Sequence, residues 1–163
     1  MLNELDIDET YTSGGNTLNA QNLHTYLSKV MYARRTKVNP LWNAILVAGF
    51  DGTGKTFLSS VDLLGTTFSS PTLATGYGSY LAQPLLRKLA ETEEEVANVT
   101  REQAEKAIRE ALKVLFYRDA RSMDRFSIAV ITKAGIEIKE DEKLEGQSWA
   151  FADRIKGYGT QVN

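Results

Sequence analysis

The chain has 163 residues, 42% of them hydrophobic and 25% charged, the make-up of one domain able to bury a substantial core. A formal net charge of −2 argues against a nucleic-acid-binding face as the main activity and leaves no polybasic patch for a membrane surface. Without cysteine there are no disulfides, thiolate zinc sites or cysteine nucleophile, and no stretch reaches the roughly 20 apolar residues of a membrane span, so an intracellular protein is expected.

Residues 1–16 are acidic and polar, unlike a secretory signal, and end in Ser13, Gly14, Gly15 and Asn16; they read as a flexible lead-in. From 18 to 35, Leu23, Leu27, Val30 and Met31 recur at helical spacing and Asn39-Pro40 closes the segment, which predicts an amphipathic helix. His24, the only histidine, lies within it. A lone imidazole cannot complete a metal shell, and it reads as a surface or edge residue.

The apolar run 44–48 predicts a buried strand, and it leads into a full match to the phosphate-loop pattern G-x-x-x-x-G-K-[ST], with Gly49, Gly54, Lys55 and Thr56 at the defining positions. That pattern predicts a nucleotide site, in which backbone N–H groups curl around phosphates, the lysine meets the β/γ oxygens and the threonine holds Mg²⁺. A phosphate loop must open a helix, whereas the continuation is rich in Ser, Thr and aromatics, is broken by Gly65 and stops at Pro71. The competing expectation is a hairpin, with Asp51-Gly52 and a second glycine supplying positive-φ turn positions. The later apolar run 126–131 ends in Thr132-Lys133 and offers no aspartate for magnesium.

Past the glycine pair Gly76 and Gly78, Ser79 is placed to cap a helix over 80–89, with Pro84 tolerated near its first turn. The acidic run 91–95 reads as a solvated connection. Thr100 and Gln103 form a capping box for a helix whose stripe is Ala104, Ala107, Ile108, Ala111, Leu112 and Leu115. Asp119 and Ser122, three apart beyond its end, either orient a nucleophile elsewhere or cap a turn. Two strands joined around Gly135 and a short helix over 149–156 complete the order. Strand pairs alternating with helices predict an α+β fold with antiparallel sheets rather than a βαβ winding.

Several blocks in order carry a resemblance: Asn39-Pro40-Leu41-Trp42-Asn43, then 69–78 from Ser69-Ser70-Pro71 through Gly76-Tyr77-Gly78, then Leu81-Ala82-Gln83-Pro84-Leu85-Leu86-Arg87, then 115–122 with Tyr117-Arg118-Asp119-Ala120-Arg121-Ser122. From about Tyr26 to the end, the chain resembles the beta-type subunits of the 20S proteasome, most of all the non-catalytic seventh beta subunits, with an ending like that of fungal forms. The resemblance implies an N-terminal-nucleophile hydrolase αββα sandwich, two antiparallel sheets between helix layers. It also implies assembly with other alpha and beta subunits in the cytoplasm and nucleus.

Active members of that family use an N-terminal threonine helped by a lysine and an aspartate from early strands, and this sequence has no counterpart of that part. Lys55 lies in a later turn and cannot replace the family lysine. Asp119 and Ser122 match the aspartate and serine that support the threonine amine, while Tyr77 replaces the family's serine between two glycines. The expectation is a partial remnant with Asp119 and Ser122 serving loop structure, no catalytic residues, and no cofactor or metal. The implied organisation is a lead-in 1–16, a partial beta-subunit domain 17–156 and a tail 157–163. In that tail Gly157, Tyr158, Gly159, Thr160 and Gln161 are expected to clasp the first and second beta subunits of the opposite ring. With the early strands missing, uncovered sheet edges would make the isolated chain unstable, and the physiological protein is expected to be longer.

Overall fold

A computed structural model describes residues 2–12 and 17–154. The fold is α+β. Residues Leu2–Thr12 form a helix, α1, where a flexible lead-in is expected from composition. Glu4 in its first turn complements the helix dipole, a local stabilisation that the polar composition of the segment does not forbid.

Helix α2, Ala20–Thr36, starts at a capping box: Asn19 Oδ1 accepts from Asn22 N at 2.9 Å and the Asn22 side chain accepts from Asn19 N at 3.2 Å. Its apolar stripe lies on a three-stranded antiparallel sheet of β1 Ile45–Phe50, β2 Thr56–Val61 and β3 Thr67–Ser69, in the order β1-β2-β3. Leu27 and Met31 of α2 and Val61 of β2 form the core there, with Leu41, Ile45 and Val47 packed around it. The register Ile45↔Val61 puts Ile45, Val47, Ser59 and Val61 on the face toward α2, as period-two alternation requires. His24 is buried in this layer, not at an edge: its Nε2 lies 3.0 Å from Ser60 O and its ring meets Phe57 edge-on. The partner that makes burial tolerable comes from a strand 36 residues away, which helix periodicity alone cannot reveal.

Leu58 points to the opposite sheet face, where it lines an apolar cavity of about 250 Å³ with Leu86, Val96 and Ile108. Those residues belong to α4 Gln83–Leu89, α5 Glu93–Val96 and α6 Arg101–Arg118, preceded by the single turn α3 Gly78–Leu81. The expected helix over 80–89 is therefore split at Ala82, since Pro84 at the first turn of α4 removes the donor a continuous helix would need. Ser79 does not cap it; its hydroxyl donates back to Gly76 O at 2.7 Å. The acidic run forms α5 instead of an open connection, because Thr92 and Glu95 make a second capping box. The Thr100 and Gln103 box opens α6 as expected.

Strands β4 Arg125–Thr132 and β5 Gly135–Lys143 form a separate antiparallel hairpin, and Ala150–Arg154 a 3-10 turn. The segment leading into that turn is held on the end of α6: Tyr117 Oη donates to Ser148 O at 3.1 Å and accepts from Ser148 N at 2.7 Å. Trp149 and Phe151 pack around the Tyr117 ring.

Candidate functional site

Residues 49–56 are the end of β1, a five-residue turn and the start of β2, with Phe50 paired to Thr56. No helix follows, so the phosphate-loop reading is overturned: the backbone N–H groups of Asp51, Thr53, Gly54 and Lys55 are already committed within the turn. Asp51 Oδ1 accepts from Thr53 N at 2.8 Å, Thr53 Oγ1 at 2.6 Å and Lys55 N at 2.9 Å, while Asp51 N donates to Lys55 O at 2.9 Å and Gly54 N to Asp51 O at 3.1 Å. The Thr53 hydroxyl first, then the Lys55 N–H, hold the Asp51 carboxyl below the usual carboxylate range. Lys55 turns outward to Glu93 Oε2 at 2.9 Å, a hydrogen bond that raises its pKa. Of the two glycines assigned positive φ, only Gly54 takes it, at 81°. Gly52 instead lets the chain pass Asn19, whose Nδ2 would lie 3.2 Å from an added Cβ, and Gly49 lets β1 pass Ala20, whose Cβ would lie at 2.8 Å.

The same turn recurs between β2 and β3. Asp62 Oδ1 accepts from Leu64 N at 2.8 Å and Thr66 N at 2.9 Å, Asp62 N donates to Thr66 O at 3.1 Å, and Gly65 N to Asp62 O at 3.0 Å, with Gly65 at φ 78°. The signal in the sequence is a repeated Asp-x-x-Gly, 51–54 and 62–65, in which the aspartate caps the turn and the glycine supplies its left-handed position. The nucleotide motif is one copy of that turn with a glycine before it and Lys-Thr after it.

Asp119 is the C-terminal cap residue of α6. Its Oδ1 accepts from Arg121 N at 3.0 Å, and Ser122 Oγ lies 2.7 Å from Asp119 O and 3.0 Å from Leu115 O, satisfying carbonyls at the helix end. The two side chains therefore share one turn, each bonded to backbone. Tyr77 is exposed beside Gly76, which has φ 61°. Gln83, not singled out from sequence, is buried and donates through Nε2 to Thr72 O at 2.7 Å and Thr72 Oγ1 at 3.1 Å, fixing the loop before α3 onto α4. Its only signal is a polar residue inside an otherwise apolar helix stripe. Gly157, Tyr158, Gly159, Thr160 and Gln161 lie outside the described residues.

A profile of the proteasome subunit family matches residues 12–131. The chain belongs to that family, in its beta-type branch. It is 48% identical over 99% of its length to proteasome subunit beta type-7 of Saccharomyces cerevisiae and 46% identical over 99% to a probable proteasome subunit beta type-7 of Schizosaccharomyces pombe. Against proteasome subunit beta type-4 of Xenopus laevis the identity is 40% over 97% of the chain. The chain spans 61%, 62% and 63% of the lengths of these three relatives.

Proposed function

We propose that this chain is a structural, non-catalytic beta subunit of the 20S proteasome core particle, contributing to ring assembly for protein degradation and carrying no active site of its own. The observation that carries the reading is the 40–48% identity, over nearly the whole chain, to subunits named beta type-7 and beta type-4. The geometry of Asp119 and Ser122 supports the non-catalytic part, since Asp119 Oδ1 and the Ser122 hydroxyl are both bonded to backbone at the end of α6. A nucleophile and base must instead be within hydrogen-bond reach of one another.

Assembly accounts for the apolar surface of the described residues. Trp42 is 84% exposed and Tyr80 78%, with Met123, Ile136 and Ile138 also exposed, and large aromatic side chains of this kind anchor subunit contacts. The partners are the other alpha and beta subunits, and the site of work is the cytoplasm and nucleus. Residues 157–161 reach the first and second beta subunits of the opposite ring, with Tyr158 as the aromatic anchor between Gly157 and Gly159. Within this reading the chain is part of an αββα sandwich.

The test is native mass spectrometry of particles recovered through a tag at Asn163. Co-recovery with a full set of alpha and beta subunits supports the proposal, and recovery of the chain alone refutes it. Removing 157–163 is expected to leave half-cylinders in excess over full cylinders; an unchanged ratio refutes the tail's role.

A further inference from the structure

Helix α6 and strand β5 face one another across a groove lined by charged side chains, and their charges answer one another. Arg101, Glu105, Arg109 and Lys113 fall four residues apart on α6, hence along one stripe with steps of about 6 Å. Glu137 and Lys139 are two apart on β5, on one face, with a step of about 6.6 Å. The two steps nearly match, and the pairs form in sequence. Arg101 Nη2 is 2.8 Å from Glu137 Oε2, Lys139 Nζ is 3.5 Å from Glu105 Oε2, and Arg109 Nη2 is 2.7 Å from Glu142 Oε2. Lys113 Nζ then donates to Gly146 O at 2.7 Å.

Glu142 is out of phase with Glu137 and Lys139 in a regular strand. A bulge corrects this: Phe126 pairs with Glu142 but Ile128 with Lys139, so β5 holds one residue more than β4 there, and Asp141 takes φ 55°. Arg125 Nη1 holds Asp141 Oδ2 at 2.7 Å, and the Arg109 guanidinium lies 5.1 Å from the centre of the Phe126 ring.

We propose that this seam is a charge-alternating zipper that docks the β4–β5 hairpin on α6 in a single register and loosens as ionic strength rises. A slip of one step would set Arg101 against Lys139 and Glu105 against Glu142, so like-charge repulsion rejects the neighbouring register. The bulge at Asp141 keeps the third pair in phase. Because the paired side chains are only partly buried, added salt screens them, whereas the apolar packing of α2 on β1 and β2 is not screened. A two-stranded hairpin is marginal in water by itself, so its ladder reports whether the seam is closed.

The experiment is hydrogen exchange by mass spectrometry on the tagged full chain, in whatever assembly the tag recovers, between about 0.05 M and about 1 M NaCl, where the Debye length falls to about 3 Å. Peptides over 126–131 and 136–143 are expected to exchange on the order of tenfold faster at high salt, from three pairs each of modest strength, while 45–61 stays within about twofold. The double variant Glu137→Gln, Glu142→Gln is expected to exchange fast at low salt and to keep only the part of the salt response that the Lys139–Glu105 pair supplies. The charge swap Arg109→Glu, Glu142→Arg restores protection. Hairpin exchange that ignores salt, or that rises in step with 45–61, overturns the proposal, and the unmodified chain alone decides this even if a variant does not fold.

Discussion

Substituting alanine for the glycine of each Asp-x-x-Gly turn separates backbone strain from packing, because the two turns share one hydrogen-bond pattern and nearly one φ, 81° at Gly54 and 78° at Gly65. Either alanine is held in the left-handed region, at a cost of roughly 1–2 kcal/mol. At Gly54 the added methyl meets only the mobile end of Lys133, 3.9 Å away, so nothing further is expected. At Gly65 it would lie 2.8 Å from Tyr32 Cβ, 2.9 Å from Tyr32 N and 3.0 Å from Ser28 O, contacts with the body of α2 that no side-chain rotation relieves. The helix must shift off the sheet, disturbing the packing of Leu27 and Met31 on Val61, and overpacking of this kind adds about 1–3 kcal/mol. Gly65→Ala is therefore expected to exceed Gly54→Ala by about 2 kcal/mol. In urea denaturation followed by far-UV circular dichroism, a slope near 2 kcal/mol/M makes this a difference of roughly 1 M between the two midpoints. Equal midpoints would refute the claim that the second turn is seated against α2.

Replacing His24 by Phe keeps the aromatic bulk but removes the 3.0 Å hydrogen bond to Ser60 O inside the α2 layer, and a loss of about 0.5–1.5 kcal/mol is expected in the same assay. Ser122→Ala removes the hydroxyl bonds to the carbonyls of Leu115 and Asp119, which keep their backbone donors, and is expected to cost about 1 kcal/mol while leaving the peptidase activity of the recovered assembly unchanged; lost activity at unchanged subunit content would contradict the non-catalytic reading. Asp51, with its folded pKa held below the ordinary 3.8, contributes stability that is present above that value and is lost as pH falls through the lower folded value. Acid titration of unfolding is accordingly expected to show the difference between the unaltered chain and Asp51→Asn shrinking below about pH 3.8, and a difference that persists would show that the charge is not what holds the turn.

Much of this protein is settled by local chemistry and is visible in the residues themselves. The helix over 20–36, the Thr100 and Gln103 box and the two hairpins arise from periodicity, capping and turn residues that act within a few positions of one another. The same locality explains why Gly49 to Thr56 fails as a nucleotide site: the residues after Thr56 have strand chemistry, and a phosphate loop without a helix has no anion-binding end. The recurrence of Asp-x-x-Gly is equally local. It accounts for the motif through an aspartate that caps each turn.

Features that join distant residues are set by the packing of the layers alone. His24 is buried because Ser60 offers a carbonyl to it, Gly65 is required because α2 passes over the turn, and Arg101, Glu105 and Arg109 are bound because a bulge at Asp141 brings Glu142 into line with Glu137 and Lys139. In each case the chemistry of a residue depends on a partner more than 30 positions away, and sequence spacing carries no information about which partners the tertiary fold will bring together.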